Sequence, residues 1–390
     1  MAFLFRRTST DSIRKTSAEA IALRIQNMTT RSVPCLQRPW SFWKGIQIPV
    51  DRMSLIRTGT RIWIGSKSTD RTWFPVLIAA FLLGSWLAQA RDWEPGFRDL
   101  AGWGRDMHLR PIALGEELLL TNRWTRMRFR KDSDRMTFNE VEFRLSDRIP
   151  VEGGRFRVSQ RDIDSLMAPL LAPPKRTSRP IRRIAINAGH GGRDPGNTEG
   201  RRMEKTYTLD LAIDLARHLK AAGFQVVFVR SSDRFIALPD RAAAANRADA
   251  DLYVSLHFNG FDGPGNDAVQ GLETYCLTPA GAPSSNDSQR RGRMAGFEAN
   301  RFDRENITLA HLVHRAILDQ TPLADRGVRR ARFKELTLLR MPGLLIEGGY
   351  MTHPGDTRLM DSRKSRDQLA GAIADGILRH KKLVERGTPE

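Results

Sequence analysis

A chain of 390 residues, 40% hydrophobic, is too long for one small domain and apolar enough to bury a core, so two or three domains are expected. Its formal charge of +19 favours anionic surroundings, whether nucleic acid, membrane head groups or a carboxylate-rich polymer, without choosing among them. Two cysteines, Cys35 and Cys276, exclude both a disulfide framework and a cysteine-based zinc site.

Residues 1–71 read as a basic extension. Thirteen Lys and Arg against four Asp and Glu fall in residues 1–90, so about half of the net charge precedes residue 91. Residues 72–90, TWFPVLIAAFLLGSWLAQA, carry no charge and lie between Arg71 and Arg91. Their most apolar part is 76–87, and Ala88-Gln89-Ala90 is a small-x-small cleavage pattern. This is signal-peptide anatomy and implies export, most simply to a periplasm. An uncleaved membrane anchor is the alternative, since 19 uncharged residues nearly span a bilayer. Met53 opens MSLIRTGTRIWIGSKSTDRTW, a basic run of suitable length ahead of the apolar stretch, so translation is expected to start there, with residues 1–52 an over-extended start. A genuine basic extension is the other reading.

Residues 91–171 read as a small strand-rich accessory domain. Met127 and Phe129 alternate with arginines, as do Phe156 and Val158, and Val141, Phe143 and Leu145 alternate with Glu142 and Arg144. Such period-two patterning marks half-buried antiparallel strands. The segment faintly resembles the small strand-rich domain at the N-terminus of some copper amine oxidases and wall enzymes, and suits a spacer or wall-binding module. QRDIDSLMAPLL then reads as a short helix, and APPKRTSRP, 172–180, as a linker.

From 181 to 385 strands alternate with helices. Strands are expected at 184–187, in FQVVFVR, DLYVSLHFN, QGLETYCL and GLLIEGG. Helices are expected from Leu209 to a stop at Gly223, over 238–249, over 302–320, and as one closing helix over 356–382. The pattern predicts an α/β fold, a mixed, mostly parallel sheet flanked by helices, preceded by the strand-rich domain. Residues 279–306 form a long polar loop, expected to be a basic substrate-binding rim rather than a full lid.

The stretch IAINAGHGGRDPG, 184–196, ends a strand in a histidine packed between glycines. A dinucleotide fingerprint fails there, because Asp194 and Pro195-Gly196 prevent the required helix, and no Gly-Lys-Ser/Thr follows for a P-loop. A metal site fits better. His190 and His257 both stand at the C-terminal ends of expected strands, the edge where open α/β sheets bind ligands. Glu204 stands at the start of the first helix. Two imidazoles and a carboxylate are the donor set of a catalytic zinc. Glu347, ending the apolar run GLLIEGG, is the candidate base.

The segments INAGHGGRDPG, EKTYTLDLAIDLARHL, RAAAANRADADLYVSLHFN, GLETYCL, ENITLAHLVHRAIL and MPGLLIEGGYMTHP, in this order, resemble the zinc-dependent N-acetylmuramoyl-L-alanine amidases over about half of the chain. The resemblance implies that His190, Glu204 and His257 bind one zinc ion and that Glu347 is the catalytic carboxylate. It implies a peptidoglycan hydrolase, in which zinc-activated water cleaves the amide between the lactyl group of N-acetylmuramic acid and L-alanine. Two positions depart from the pattern: the family usually has Asp where Asn187 stands and Asn where His353 stands. Asn187 lacks the charge that would strengthen His190 as a ligand. His311 and His314, three apart on one helix, are expected to be packing or surface residues, and Arg241 and Asn246 to fix the loop before DLYVSLHFN.

Two other functions stay open at this point, a carboxypeptidase-like zinc hydrolase and a non-catalytic wall-binding protein. The separation of His190 and Glu204 by 14 positions disfavours the H-x-x-E spacing of the first, and the full donor set disfavours the second. A nucleic-acid partner is not expected, since half of the charge lies ahead of or within the export signal. Peptidoglycan is the expected partner, a membrane only if 72–90 stays attached, and the sequence names no activator.

Overall fold

The computed structural model describes residues 96–175, 180–286 and 296–386. The expected extension, the apolar stretch 72–90, residues 176–179 of the linker and the middle of the polar loop lie outside the described residues. Among those described, no helix is long and apolar enough to cross a membrane.

The strand-rich segment begins with β1 (Phe97–Asp99) and α1 (Leu100–Asp106), which Asp99 caps by accepting from Gly102 N at 2.9 Å. An antiparallel meander follows: β2 (Arg110–Leu114), β3 (Glu117–Thr121), β4 (Arg126–Arg130), β5 (Arg135–Phe138) and β6 (Val141–Arg144). The alternation read from the sequence is realised in β4, where Met127 and Phe129 are buried and the three arginines face solvent. The hairpin β7 (Val151–Glu152) and β8 (Arg155–Ser159) pairs with β1, and helical turns run on from Gln160 to Leu171.

The second half supplies β9 (Arg183–Ala188), the short hairpin β10 (Thr198–Glu199) and β11 (Arg202–Met203), α2 (Glu204–Ala221), β12 (Gln225–Phe228), α3 (Leu238–Arg247) and β13 (Leu252–Asn259). There follow β14 (Leu272–Leu277), α4 (Asp303–Gln320), β15 (Asp325–Ala331), α5 (Lys334–Thr337), β16 (Gly343–Tyr350), α6 (Pro354–Asp361) and α7 (Arg363–Arg386). Strand order is β12-β9-β13-β16-β14-β15, parallel except for the β16/β14 pair, and it continues through the Val328↔Phe143 pairing into β6-β5-β4-β3-β2. Mixed, mostly parallel and helix-flanked is the architecture the pattern predicted.

Alternation along the parallel strands sorts side chains onto two faces. Ile184, Ile186, Val254, Leu256, Leu344 and Ile346 join the core beneath α2, α4 and α7. Ala185, Tyr253 and Leu345 face α3 and α5 instead. Asn187, Ser255, His257, Glu347 and Glu273 share that second phase, so these five polar residues gather on one face.

Two expectations change. The closing helix is two, because Ser362 adopts extended backbone and its hydroxyl accepts from Ser365 N, capping α7. The strand β15, DRGVRRA, was not among the expected strands. Arg326 and Arg329 meet Glu273, at 2.9 and 3.0 Å, and Arg330 donates to the carbonyls of Leu277 and Ser165.

His314 is buried between Thr274 and Asp325, and His311 lies edge-on to Phe138 at 5.1 Å, so both are packing residues as expected. Burial, then the charges of His314 and Arg315, push the His311 pKa down to about 3. A histidine kept neutral by the fold but titrating near 6.5 when unfolded supports stability above that pH, and the support is lost as pH falls from 6.5 towards 3. Urea unfolding is therefore expected to show a loss of about 1–2 kcal/mol from this group between pH 6.5 and 5. His311→Leu should flatten that part of the profile.

Candidate active site

Three of the four predicted residues stand at C-terminal strand ends, and the fourth opens a helix. His190 follows β9 by two residues and holds a left-handed backbone, φ 60°. Arg241 imposes that turn, donating to the carbonyls of Ala188 and His190 at 3.0 and 2.9 Å. Arg230, fully buried, donates to the carbonyls of Ala188 and Gly189 at 3.2 and 2.8 Å. Arg241 thus fixes the His190 turn rather than the loop before β13, whereas Asn246 ties Leu338 O and Arg340 N ahead of β16.

Glu204, the first residue of α2 and 1% exposed, lies between the two imidazoles. Its Oε2 is 3.0 Å from His190 Nε2, and its Oε1 is 2.9 Å from His257 Nδ1. The candidate ligand atoms of all three residues lie within 4.8 Å of one another, so the trio can hold a metal ion. Asn197 donates its backbone and side-chain N–H to Glu204, and Phe258 N donates to the other oxygen, which fixes the carboxylate. Asp194 accepts from Gly196 N and lies 2.9 Å from His190 Nδ1, leaving Nε2 directed at Glu204.

Electrostatics follow from this geometry. Burial opposes protonation of His190, but its hydrogen bonds and charge pairing with Glu204 and Asp194 outweigh it and raise the pKa. Burial likewise favours the neutral form of Glu204, yet the two histidines hold its carboxyl far below the ordinary range.

Glu347 sits on β16 in register with His257 on one side and Glu273 on the other. Its Oε2 is buried without a hydrogen-bond partner. Burial, then the charges of Glu204, Glu273 and Glu335, push its pKa well above the carboxylate range. Glu273 contrasts with it. Tyr275, Tyr350, Asn259, Arg326 and Arg329 all surround its carboxylate, which stays charged despite burial.

The glycines explain themselves by close approach. A methyl at Gly189 would fall 2.3 Å from His257 Cε1, and one at Gly196 would fall 2.5 Å from Glu204 Oε2. Gly189→Ala is expected to displace the His257 ring and weaken divalent-metal binding at least roughly tenfold, with helix content unchanged, in a metal titration followed by circular dichroism.

Sequence reasoning missed Asp194, Asn197, Arg230, Glu273 and Glu335. Asp194 carried a signal, four residues after His190 in a turn rich in glycine. Glu335 carried none, since FKELTLLR reads as an amphipathic surface turn. The departure at 353 has a structural use: His353 Nδ1 accepts from Asp356 N at 3.1 Å and caps α6, the work an asparagine does.

The N-acetylmuramoyl-L-alanine amidase family model, Amidase_3, matches residues 184–379. The chain is 30% identical over 213 residues to the uncharacterized protein YqiI of Bacillus subtilis, covering 54% of this chain and 91% of that protein. It is 30% identical over 224 residues to the amidase AmiC of Neisseria meningitidis, covering 52% of this chain but only 53% of that one. Among solved structures, amidase AmiC2 of Nostoc punctiforme is 32% identical, with a TM-score of 0.42, over 51% of this chain and 96% of the other. The chain belongs to the N-acetylmuramoyl-L-alanine amidase family, enzymes that cleave the amide between N-acetylmuramic acid and L-alanine in peptidoglycan.

Proposed function

We propose that His190, Glu204 and His257 hold one zinc ion and that Glu347 is the carboxylate with which this amidase hydrolyses its substrate amide. One observation carries the reading: two imidazoles and a carboxylate from three separate segments bring their donor atoms within 4.8 Å of one another. Three nitrogen and oxygen donors are the set that a catalytic zinc takes, and the glycines at 189 and 196 leave the room that a side chain would fill. When bound, the ion supplies Lewis acidity to water and to the scissile carbonyl.

The chain's own residues do the rest. Asp194 orients His190, and Asn197 with Phe258 N orients Glu204. Glu347 takes the proton of the attacking water at its unpartnered Oε2 and delivers it to the departing alanine nitrogen. Arg326 and Arg329, on the strand beside Glu273, offer cationic groups at the same end of the sheet, in keeping with a peptide substrate that bears carboxylates. The protein acts outside the cytoplasm, most simply in a periplasm, where residues 72–90 deliver it and peptidoglycan is its partner.

Digestion of purified sacculi, with mass spectrometry of the products, tests this. The expected products are whole stem peptides with a free L-alanine amine, and glycan strands with free lactyl carboxylates. Stem peptides shortened at their C-termini would mean a carboxypeptidase instead.

A further inference from the structure

We infer that Glu335 is a positioning residue of the metal centre: its buried carboxylate supplies the negative charge that Asn187 lacks and orients the His257 ring. The inference rests on the reading of His257 as a ligand. Glu335 lies on α5, is 2% exposed, and belongs to none of the segments that signalled the site. Its Oε2 accepts from Asn187 Nδ2 at 2.9 Å and from the Tyr253 hydroxyl at 3.1 Å. Its Oε1 accepts from the Ser255 hydroxyl at 2.8 Å and lies 3.8 Å from His257 Nε2. His257 therefore has one ring nitrogen towards Glu204 and the other towards Glu335. Asp194 stands closer behind His190, 2.9 Å from Nδ1, so each imidazole has a carboxylate on the side away from Glu204. Carboxylates placed behind metal-binding histidines fix the ring and its tautomer.

The identity of residue 187 follows from the same contacts. Asn187 accepts from Arg241 through Oδ1 at 2.9 Å and donates through Nδ2 to Glu335. Its amide joins a buried guanidinium to a buried carboxylate, each presented with the atom it requires. An aspartate there would turn a carboxylate oxygen towards Glu335 at hydrogen-bond distance, and two buried like charges repel. The negative charge therefore stands at 335, on the far side of the asparagine from Arg241 and 3.8 Å from His257 Nε2.

The test uses the full chain. In metal-free protein the nitrogen chemical shifts of the His257 ring report its tautomer, and competition with a chelating dye reports zinc affinity. Glu335→Gln leaves Glu204, 2.9 Å from Nδ1, as the one carboxylate beside the ring, so it is expected to shift the metal-free ring towards the Nδ1–H tautomer and to weaken zinc binding by about 10- to 100-fold. Glu335→Asp keeps the charge one methylene further back, and is expected to fold as the wild type while shifting the tautomer in the same direction; it serves if the glutamine variant fails to fold. Asn187→Asp should lower the urea midpoint in the wild-type background and raise it in the Glu335→Gln background. An unchanged His257 tautomer in both Glu335 variants, or an equal effect of Asn187→Asp in both backgrounds, would overturn the inference. Failure of the zinc reading registers separately, as wild-type protein that binds no zinc. The tautomer and the sign change at 187, both measured without metal, decide the role of Glu335 in either case.

Discussion

Glu347→Gln is expected to reduce hydrolysis of purified peptidoglycan by about 100- to 10,000-fold while leaving zinc content and fold intact. The amide matches the carboxylate in shape but cannot take a proton from water, so the loss falls on the chemical step. Glu347 is not among the three residues whose donor atoms converge, so the metal should stay. Stability should hold or rise. In the wild type the Glu347 carboxyl is buried, faces the charges of Glu204, Glu273 and Glu335, and leaves Oε2 without a partner. An amide never has to ionise beside those three carboxylates, so the thermal midpoint of the variant is expected at or above that of the parent. Zinc analysis, thermal melts and turnover on one preparation check all three. A variant that turns over at the parental rate would remove Glu347 from the mechanism.

The second large effect is expected at Glu204. Glu204→Ala removes a proposed metal donor and also orphans the backbone N–H groups of Asn197 and Phe258, while the Asn197 amide keeps only its bond to Phe258 O. It strips both histidines of their common carboxylate as well. Zinc content should fall below about a tenth of an equivalent, and metal-free stability should fall by about 3–5 kcal/mol, as for breaking a buried charged pair. Chelator treatment of the wild type separates the two losses. It should abolish activity reversibly and leave the metal-free fold, because Glu204 and its donors remain. Equal metal-free stability of Glu204→Ala and the wild type would show that the carboxylate does not organise this turn.

The parts legible in the sequence are those whose signal is local. DLYVSLHFN and GLLIEGGY are apolar runs that end in a polar residue, and this alone put His257 and Glu347 at the same sheet edge. Glu204 was legible from its place at a helix start. What escaped was nonlocal. Glu335 meets Asn187 and Ser255, which stand 148 and 80 residues away, and no pattern around it marks it as buried. The strand β15 escaped because arginines normally signal solvent; here Glu273 and main-chain carbonyls satisfy them inside the sheet. The break between α6 and α7 escaped because Ser362 caps a helix without interrupting the apolar spacing on either side.

The central claim is that side chains from three segments hold one zinc ion beside Glu347. Anomalous diffraction measured on both sides of the zinc absorption edge, from crystals of protein purified without added chelator, tests it most directly. A single strong peak bonded to His190, Glu204 and His257 is the result this account requires. A peak held by other residues, or none at this site in protein that digests peptidoglycan, would contradict it.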